Sequence, residues 1–113
     1  MIVVGVALAA AVGAAVRAVV TGMDAKFTRQ MYGTAAVNII GSFLLGLLAG
    51  SDSTSANMLA IAGVGGLGAL TTFSTYVSQI ERIAREGNTA TAVLYGAGSL
   101  VAGIIAASVG WSL

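Results

Sequence analysis

Apolar residues form four long runs along the chain, and most polar residues collect between them. The runs cover residues 2–21, 32–50, 57–80 and 90–111. Each run is near the roughly 20 residues that an α-helix needs to cross the hydrocarbon core of a bilayer. The pattern therefore predicts an all-α membrane protein with one domain, residues 1–113, of four transmembrane helices. We expect the first run to be a true span, because it lacks the basic start of a signal peptide.

The composition agrees with a chain that works inside the bilayer. Of its residues, 58% are hydrophobic and 8% are charged, whereas about a quarter are charged in an ordinary soluble domain. The net charge of +1 comes without any basic run, so a nucleic-acid partner is not expected. The chain has no Cys and no His, which excludes disulfides and the usual transition-metal sites. The sequence shows no nucleophile–base pair of the kind that would indicate an enzyme.

The stretch GVGGLGALTTFSTY, residues 63–76, stands out inside the third run. It holds four glycines, four hydroxyl residues and two aromatic residues. Glycine inside a helix costs about 1 kcal/mol relative to alanine, and freed backbone groups persist in a bilayer only where protein or a polar cavity satisfies them. We therefore predict that the third helix is broken here and that the break is the functional centre.

Polar side chains also interrupt the second and fourth runs. Thr34, Asn38 and Ser42 are spaced to share one helical face. A mid-span amide is costly unless it finds partners, so Asn38 either forms an interhelical hydrogen bond or lines a polar pathway. Tyr95 and Ser99 share a face of the fourth run, so polar side chains are expected on this helix too.

Small residues recur at four-residue spacing in two of the runs. They are Gly5, Ala9 and Gly13 in the first run, and Gly46 and Gly50 in the second. Such spacing lets helix backbones approach closely. The pattern predicts tight helix packing at both places.

Arg17 is a charged residue within the first run, four residues from its end. A charge inside a span is costly and usually faces a partner or water. Two interpretations remain open. The side chain either extends to the interface as an anchor or serves at a pore mouth or dimer centre.

Phe73 and Tyr76 lie three residues apart and therefore on one helical face. An aromatic ring has a negative face and a positive edge. Ring edges together with hydroxyl and amide donors are suited to hold a small, strongly hydrated anion. This combination indicates an anion pathway more than simple packing.

The segments GTAAVNIIGSFLLG and GGLGALTTFSTY, followed by Tyr95 and Ser99, resemble the Fluc/CrcB fluoride channel family over nearly the whole chain. The resemblance implies a multi-pass plasma-membrane channel that is selective for fluoride, exports it passively and lowers its toxicity. It also implies an antiparallel dimer of dual-topology type, with two pores and a structural, non-transported Na⁺ at its centre.

The resemblance also implies roles for individual residues. Backbone carbonyls of Gly68 and Thr71 would hold the Na⁺, in keeping with the preference of hard cations for oxygen, and Arg17 matches the family's first-span arginine. The fluoride pore would be formed by Asn38, Phe73, Ser74, Thr75, Tyr76, Tyr95 and Ser99.

Three positions depart from the family pattern. Tyr76 replaces a pore phenylalanine and adds a hydroxyl that would donate to the anion or crowd the pore. Gln79 replaces a common glutamate, and Ala69 replaces a common glycine.

The basic residues outside the first run predict the orientation of the chain. Lys26, Arg29, Arg82 and Arg85 all lie in or beside the first and third loops, so these loops should face the cytoplasm. Such a bias opposes dual insertion and favours a heterodimer with an oppositely oriented paralogue. The family habit favours an antiparallel homodimer, and both remain open.

A small four-span, proton-coupled multidrug transporter is the alternative from another functional class. Its mechanism needs a carboxylate inside a span. Asp24, Asp52, Glu81 and Glu86 are in loops or at span ends, which counts against it. A non-transporting assembly protein is a third possibility, but it would not require polar residues at membrane depth.

Overall fold

The computed structural model describes residues 2–21 and 26–113, without the side chains at positions 28 and 29. Asp24 and the side chain of Arg29, both used in the sequence argument, lie outside the described residues. Every element in the described ranges is helical. The elements are α1 Ile2–Thr21, α2 Phe27–Gly50, α3 Ala56–Met58, a π-helix Leu59–Leu67, α4 Gly68–Leu70, α5 Phe73–Arg85 and α6 Thr89–Ser112.

Four helical stretches are long and apolar enough to cross a membrane. Their mean hydropathies lie between 1.4 and 2.3. Most of their large apolar side chains face outward rather than into a core, as expected when lipid and not water surrounds a bundle. The prediction of an all-helical protein with four long apolar spans is therefore confirmed for the described residues.

Two helices extend beyond the predicted spans, because their polar ends lie outside the apolar zone. Helix α2 begins at Phe27, whose ring lies 4.0 Å from the guanidinium carbon of Arg82. Helix α5 continues to Arg85, and its last turns carry the exposed ion pairs Arg85–Glu81 and Arg82–Glu86. Exposed pairs of this kind contribute little stability. They mark a solvated helix end, as the sequence predicted.

Closely packed glycines join α2 to α6. The Cα of Gly46 faces the backbone of Ala107, and the Cα of Gly110 faces the Phe43 carbonyl. Gly50 lies in the same way against Trp111. A side chain at any of these positions would overlap the neighbouring backbone. The predicted packing role of Gly46 and Gly50 is confirmed.

Helix α1 packs against the third span in the same manner. Gly13 is buried against the Gly66 carbonyl, and Gly5 lies close to the Ile61 side chain. Gly65, inside the π-helix, approaches the Val6 backbone of α1. The small residues of α1 therefore allow close packing against the π-helix that precedes the centre of the third span.

The helical path of the third span changes twice. Residues 59–67 form a π-helix, which is wider than an α-helix and is often found at functional sites. After α4, Thr71 and Thr72 adopt extended conformations with ψ of 158° and 116°. Helix α5 begins at Phe73. The two extended residues lie between α2 and α6, where the candidate site is found.

Candidate functional site

A cleft of about 400 Å³ opens beside the extended residues, between α2, the third span and α6. Its wall is mostly aliphatic, with a few polar groups that converge on one region. Six of the residues that the family resemblance assigned to a fluoride or sodium site line this cleft. They are Asn38, Gly68, Thr71, Phe73, Tyr76 and Ser99.

Asn38 bonds the backbone of Thr72 on both sides, through both ends of its side-chain amide. Its Nδ2 donates to the Thr72 carbonyl at 3.0 Å, and its Oδ1 accepts from the Thr72 N–H at 2.8 Å. The orientation of the amide is fixed, because a backbone N–H can only donate and a carbonyl can only accept. The mid-span Asn38 therefore has the interhelical partners that its burial requires, and it also lines the cleft.

Thr72 caps helix α5. Its Oγ1 accepts from the Thr75 N–H at 3.2 Å and donates to the Thr75 hydroxyl at 3.0 Å. Threonine is a favourable N-cap residue, so a helix start at this position was readable from the sequence. Sequence reasoning placed Thr72 among the hydroxyl residues of the stretch but assigned it no role.

Three aromatic rings follow one another along the α5–α6 contact. The ring centroids of Phe73 and Tyr76 are 6.0 Å apart, and those of Tyr76 and Tyr95 are 5.7 Å apart. Both pairs are tilted, by 44° and 49°, which is a favourable arrangement for aromatic quadrupoles. Phe73 is 77% exposed, so its ring projects beyond its own chain.

The hydroxyl of Tyr76 is fully engaged as a donor. It donates to the Gly96 carbonyl of α6. Gly96 is buried, and a Cβ there would press against the Ile80 side chain at 3.1 Å while making only an ordinary contact, at 3.7 Å, with the Tyr76 hydroxyl oxygen. In this arrangement, the hydroxyl fixes the ring against α6 and is not free to donate into the cleft.

Replacing Tyr76 with Phe should lower the stability of the chain by about 0.5–1.5 kcal/mol, the usual net value of one hydrogen bond. The measurement is the thermal unfolding midpoint of the purified protein in detergent. Tyr32→Phe is the matched control, because Tyr32 is 72% exposed. Equal unfolding midpoints for the two variants would show that the Tyr76–Gly96 hydrogen bond does not contribute to the stability of the fold.

A second polar chain links three helices near the α5–α6 contact. Gln79 donates from Nε2 to the Thr34 hydroxyl at 3.0 Å and accepts from the Tyr95 hydroxyl at 2.6 Å. Thr34 is 0% exposed and Gln79 is 6% exposed. The neutral amide of Gln79 both donates and accepts, so the hydroxyls of Thr34 and Tyr95 each have a hydrogen-bond partner. Tyr95 does not line the cleft, and its hydroxyl proton is directed to Gln79.

The remaining predicted residues lie outside the cleft. Ser74 and Thr75 are exposed on the first turn of α5. Arg17 is half-buried on α1, where its carbonyl accepts from the Thr21 hydroxyl at 2.7 Å. The structure therefore brings six of the predicted residues together in one cleft, and it does not place Ser74, Thr75, Tyr95 or Arg17 in the cleft wall.

The described residues contain no cluster of Asp, Glu, His or Cys that could hold a metal ion. Beside the extended residues, the oxygen atoms that could serve a cation include the backbone carbonyls of Gly68 and Thr71. Carbonyl oxygen suits a hard cation. The chemistry of the region thus combines amide and hydroxyl donors, aromatic rings and uncharged oxygen acceptors.

Comparison with known proteins agrees with the sequence resemblance. The family described as "CrcB-like protein, Camphor Resistance (CrcB)" matches residues 4–111. The chain is also 35% identical over 97 residues to the "Fluoride-specific ion channel FluC" of Novosphingobium aromaticivorans. That match covers 83% of this chain and 75% of the relative. On both grounds, the chain belongs to the CrcB family.

Proposed function

We propose that this chain forms a fluoride-selective channel that passively exports fluoride and so lowers its concentration and toxicity in the cell. The observation that carries the proposal is the position of the Asn38 amide, beside the rings of Phe73 and Tyr76, in one cleft at membrane depth. The relative named as a fluoride-specific channel supports the choice of ion.

The amide of Asn38 supplies the donor that a small anion needs. Nδ2 carries two N–H groups, and one of them donates to the Thr72 carbonyl. The second is left for an anion in the cleft. The hydroxyl of Ser99 and the positive edges of Phe73 and Tyr76 add further weak interactions. Together these groups offset part of the cost of removing water from fluoride.

Passive conduction requires that each interaction be weak enough to release the ion. An ion moves when binding is favourable enough for entry and is shared among several weak sites. Neutral donors and ring edges meet this condition better than a fixed positive charge. None of the described residues that line the cleft is charged, which fits a pathway for an anion that must also leave.

The proposed assembly is an antiparallel dimer in the plasma membrane, with the third helix broken at Thr71 and Thr72. Phe73 is 77% exposed in the single chain. In a dimer, this ring would reach the cleft region of the partner and complete an aromatic lining. The proposal assigns Ser74, Thr75 and Tyr95 to the approaches of the pore, and Arg17 to its mouth.

The proposal includes a structural Na⁺ that is not transported. The carbonyls of Gly68 and Thr71 would hold it, because Gly68 begins the three-residue helix α4 and Thr71 follows it, where the helical pattern stops. When bound, the cation supplies positive potential near the pores. The oxygen-only donor set of this region fits such an ion.

A proton-coupled multidrug transporter is not favoured by the site. Such a transporter needs a carboxylate that exchanges a proton within the span. Among the described residues, Asp52, Glu81 and Glu86 are all exposed and none lines the cleft.

Growth in fluoride tests the proposed function in cells. A bacterium that lacks its own fluoride exporter should grow in fluoride when it expresses this chain, or this chain with an oppositely oriented paralogue. The empty vector is the control. Fluoride sensitivity equal to that of the empty vector in both cases would count against the proposal.

Reporter fusions at Leu113 test the orientation. The bias of Lys26, Arg82 and Arg85 towards one side of the membrane predicts a fixed orientation and a heterodimer. A reporter that is active only in the cytoplasm should then differ strongly from one that is active only outside it. Comparable activity of both reporters would instead show that the chain inserts in both orientations, which a dual-topology homodimer requires, and would contradict the fixed orientation.

A further inference from the structure

We infer that the side chains of Asn38 and Thr72 act as a pair that keeps the Gly68 and Thr71 carbonyls open for a monovalent cation. Each side chain captures a backbone amide that would otherwise donate to one of these carbonyls. The inference rests on the proposed function for the identity of the cation, Na⁺. It assigns Thr72 a positioning role and gives Asn38 a second role besides anion binding.

The first captured amide is that of Thr72. In a continuous α-helix, the N–H of residue 72 would donate to the carbonyl four residues earlier, which belongs to Gly68. Here the Thr72 N–H donates to Asn38 Oδ1 at 2.8 Å. The Gly68 carbonyl therefore lacks the donor that a continuous helix would supply. A second bond, from Asn38 Nδ2 to the Thr72 carbonyl at 3.0 Å, holds the next peptide group, so Asn38 fixes the backbone on both sides of Thr72.

The second captured amide is that of Thr75. By the same rule, its N–H would donate to the carbonyl of Thr71. It donates instead to the Thr72 Oγ1 at 3.2 Å. The extended ψ of 158° at Thr71 turns that carbonyl out of the helical direction. The two diverted donors thus belong to the two carbonyls that the sequence resemblance assigned to a cation.

The Thr71 hydroxyl does not replace the donor that the Gly68 carbonyl lacks. It donates to the Leu67 carbonyl at 3.1 Å, which already accepts from the Thr71 N–H at 3.0 Å. Its distance to the Gly68 carbonyl is 3.5 Å, at the outer limit of a hydrogen bond. The Gly68 oxygen is left with one weak neighbour, and a cation would satisfy it better.

The chemistry of the region selects the class of cation. Divalent ions such as Ca²⁺ and Mg²⁺ prefer sites with carboxylates, and the described residues hold no acidic cluster. Neutral carbonyl oxygens at the C-terminal end of a helix instead offer partial negative charge. This donor set suits a hard monovalent cation, whose remaining ligands would come from water or a second copy of the chain.

Thermal unfolding in detergent, with NaCl replaced stepwise by N-methylglucamine chloride at constant ionic strength, tests the inference. The wild-type midpoint should rise with Na⁺. Thr72→Val removes only the hydroxyl and should weaken the apparent Na⁺ affinity by about tenfold, as expected for loss of one hydrogen bond. Thr72→Ser restores the hydroxyl and should restore the response. Ser42→Ala is the matched control, because Ser42 lines the cleft but bonds only the carbonyl of Asn38 in its own helix.

Two outcomes would overturn the inference. One is a wild-type midpoint that does not respond to Na⁺, and the other is a Thr72→Val protein that responds as strongly as wild type. If Thr72→Val does not fold, the ¹³C resonances of the Gly68 and Thr71 carbonyls in wild-type protein decide the matter, since both should shift when Na⁺ replaces N-methylglucamine. No arm of this experiment contains fluoride. A negative result here would therefore overturn this inference without bearing on whether the chain conducts fluoride.

Discussion

Replacing Asn38 with Asp should abolish fluoride flux under the proposed function. The substitution exchanges the Nδ2 donor for an acceptor and places a negative charge beside the anion. Two like charges about 4 Å apart repel by about 4 kcal/mol at an effective dielectric constant of about 20. Since about 1.4 kcal/mol corresponds to a factor of ten, flux should fall by at least about a hundredfold.

The measurement is fluoride efflux from liposomes that contain the purified variant, with Ser42→Ala as its control. Ser42 lines the same cleft one helical turn away and bonds only the Asn38 carbonyl within α2. Ser42→Ala should therefore conduct within a few-fold of wild type. Gel filtration would verify that both variants remain folded. Undiminished efflux through Asn38→Asp would remove Asn38 from the anion pathway.

Replacing Gly46 with Ala should destabilise the fold, although alanine is the better helix former. A Cβ at position 46 would overlap the Ala107 carbonyl oxygen, so α2 and α6 would have to separate. Overpacking of this kind typically costs about 1–3 kcal/mol. That cost exceeds the gain of about 1 kcal/mol from replacing a helical glycine with alanine.

Gly98→Ala makes the same chemical change without the overlap. Gly98 lies in α6, and a Cβ there would meet no atom of the described residues within 4 Å. Its unfolding midpoint in detergent should equal or exceed that of wild type, while that of Gly46→Ala should fall well below it. If the two variants unfolded at the same temperature, the close α2–α6 contact would not be a source of stability.

The spans and their packing were predictable because both depend on local patterns. Hydropathy alone marks segments long enough for a bilayer, and glycine at four-residue spacing marks close contact. The helix ends were less predictable. The third run was predicted to end at residue 80, yet α5 continues through Glu81 to Arg85, because a helix can extend into water when its side chains face solvent.

The pairing of side chains across the site could not be predicted from local patterns. Asn38 and Thr72 are separated by 34 residues, and Thr34 and Gln79 by 45. Only the fold brings them together. The sequence left open whether Asn38 forms an interhelical bond or lines a pathway. The structure shows the bond and places Asn38 in the cleft wall, and its part in an ion pathway stays a proposal. The partner of the Tyr76 hydroxyl, a backbone carbonyl at Gly96, has no side-chain signature at all.

Efflux from liposomes tests the central claim most directly. Purified chain, alone and together with an oppositely oriented paralogue, is reconstituted into liposomes loaded with fluoride or with chloride. Rapid fluoride efflux with chloride retained is the predicted result, and its appearance with this chain alone would show that the homodimer suffices. Fluoride efflux no faster than from protein-free liposomes in both preparations, or equal efflux of chloride, would contradict the account.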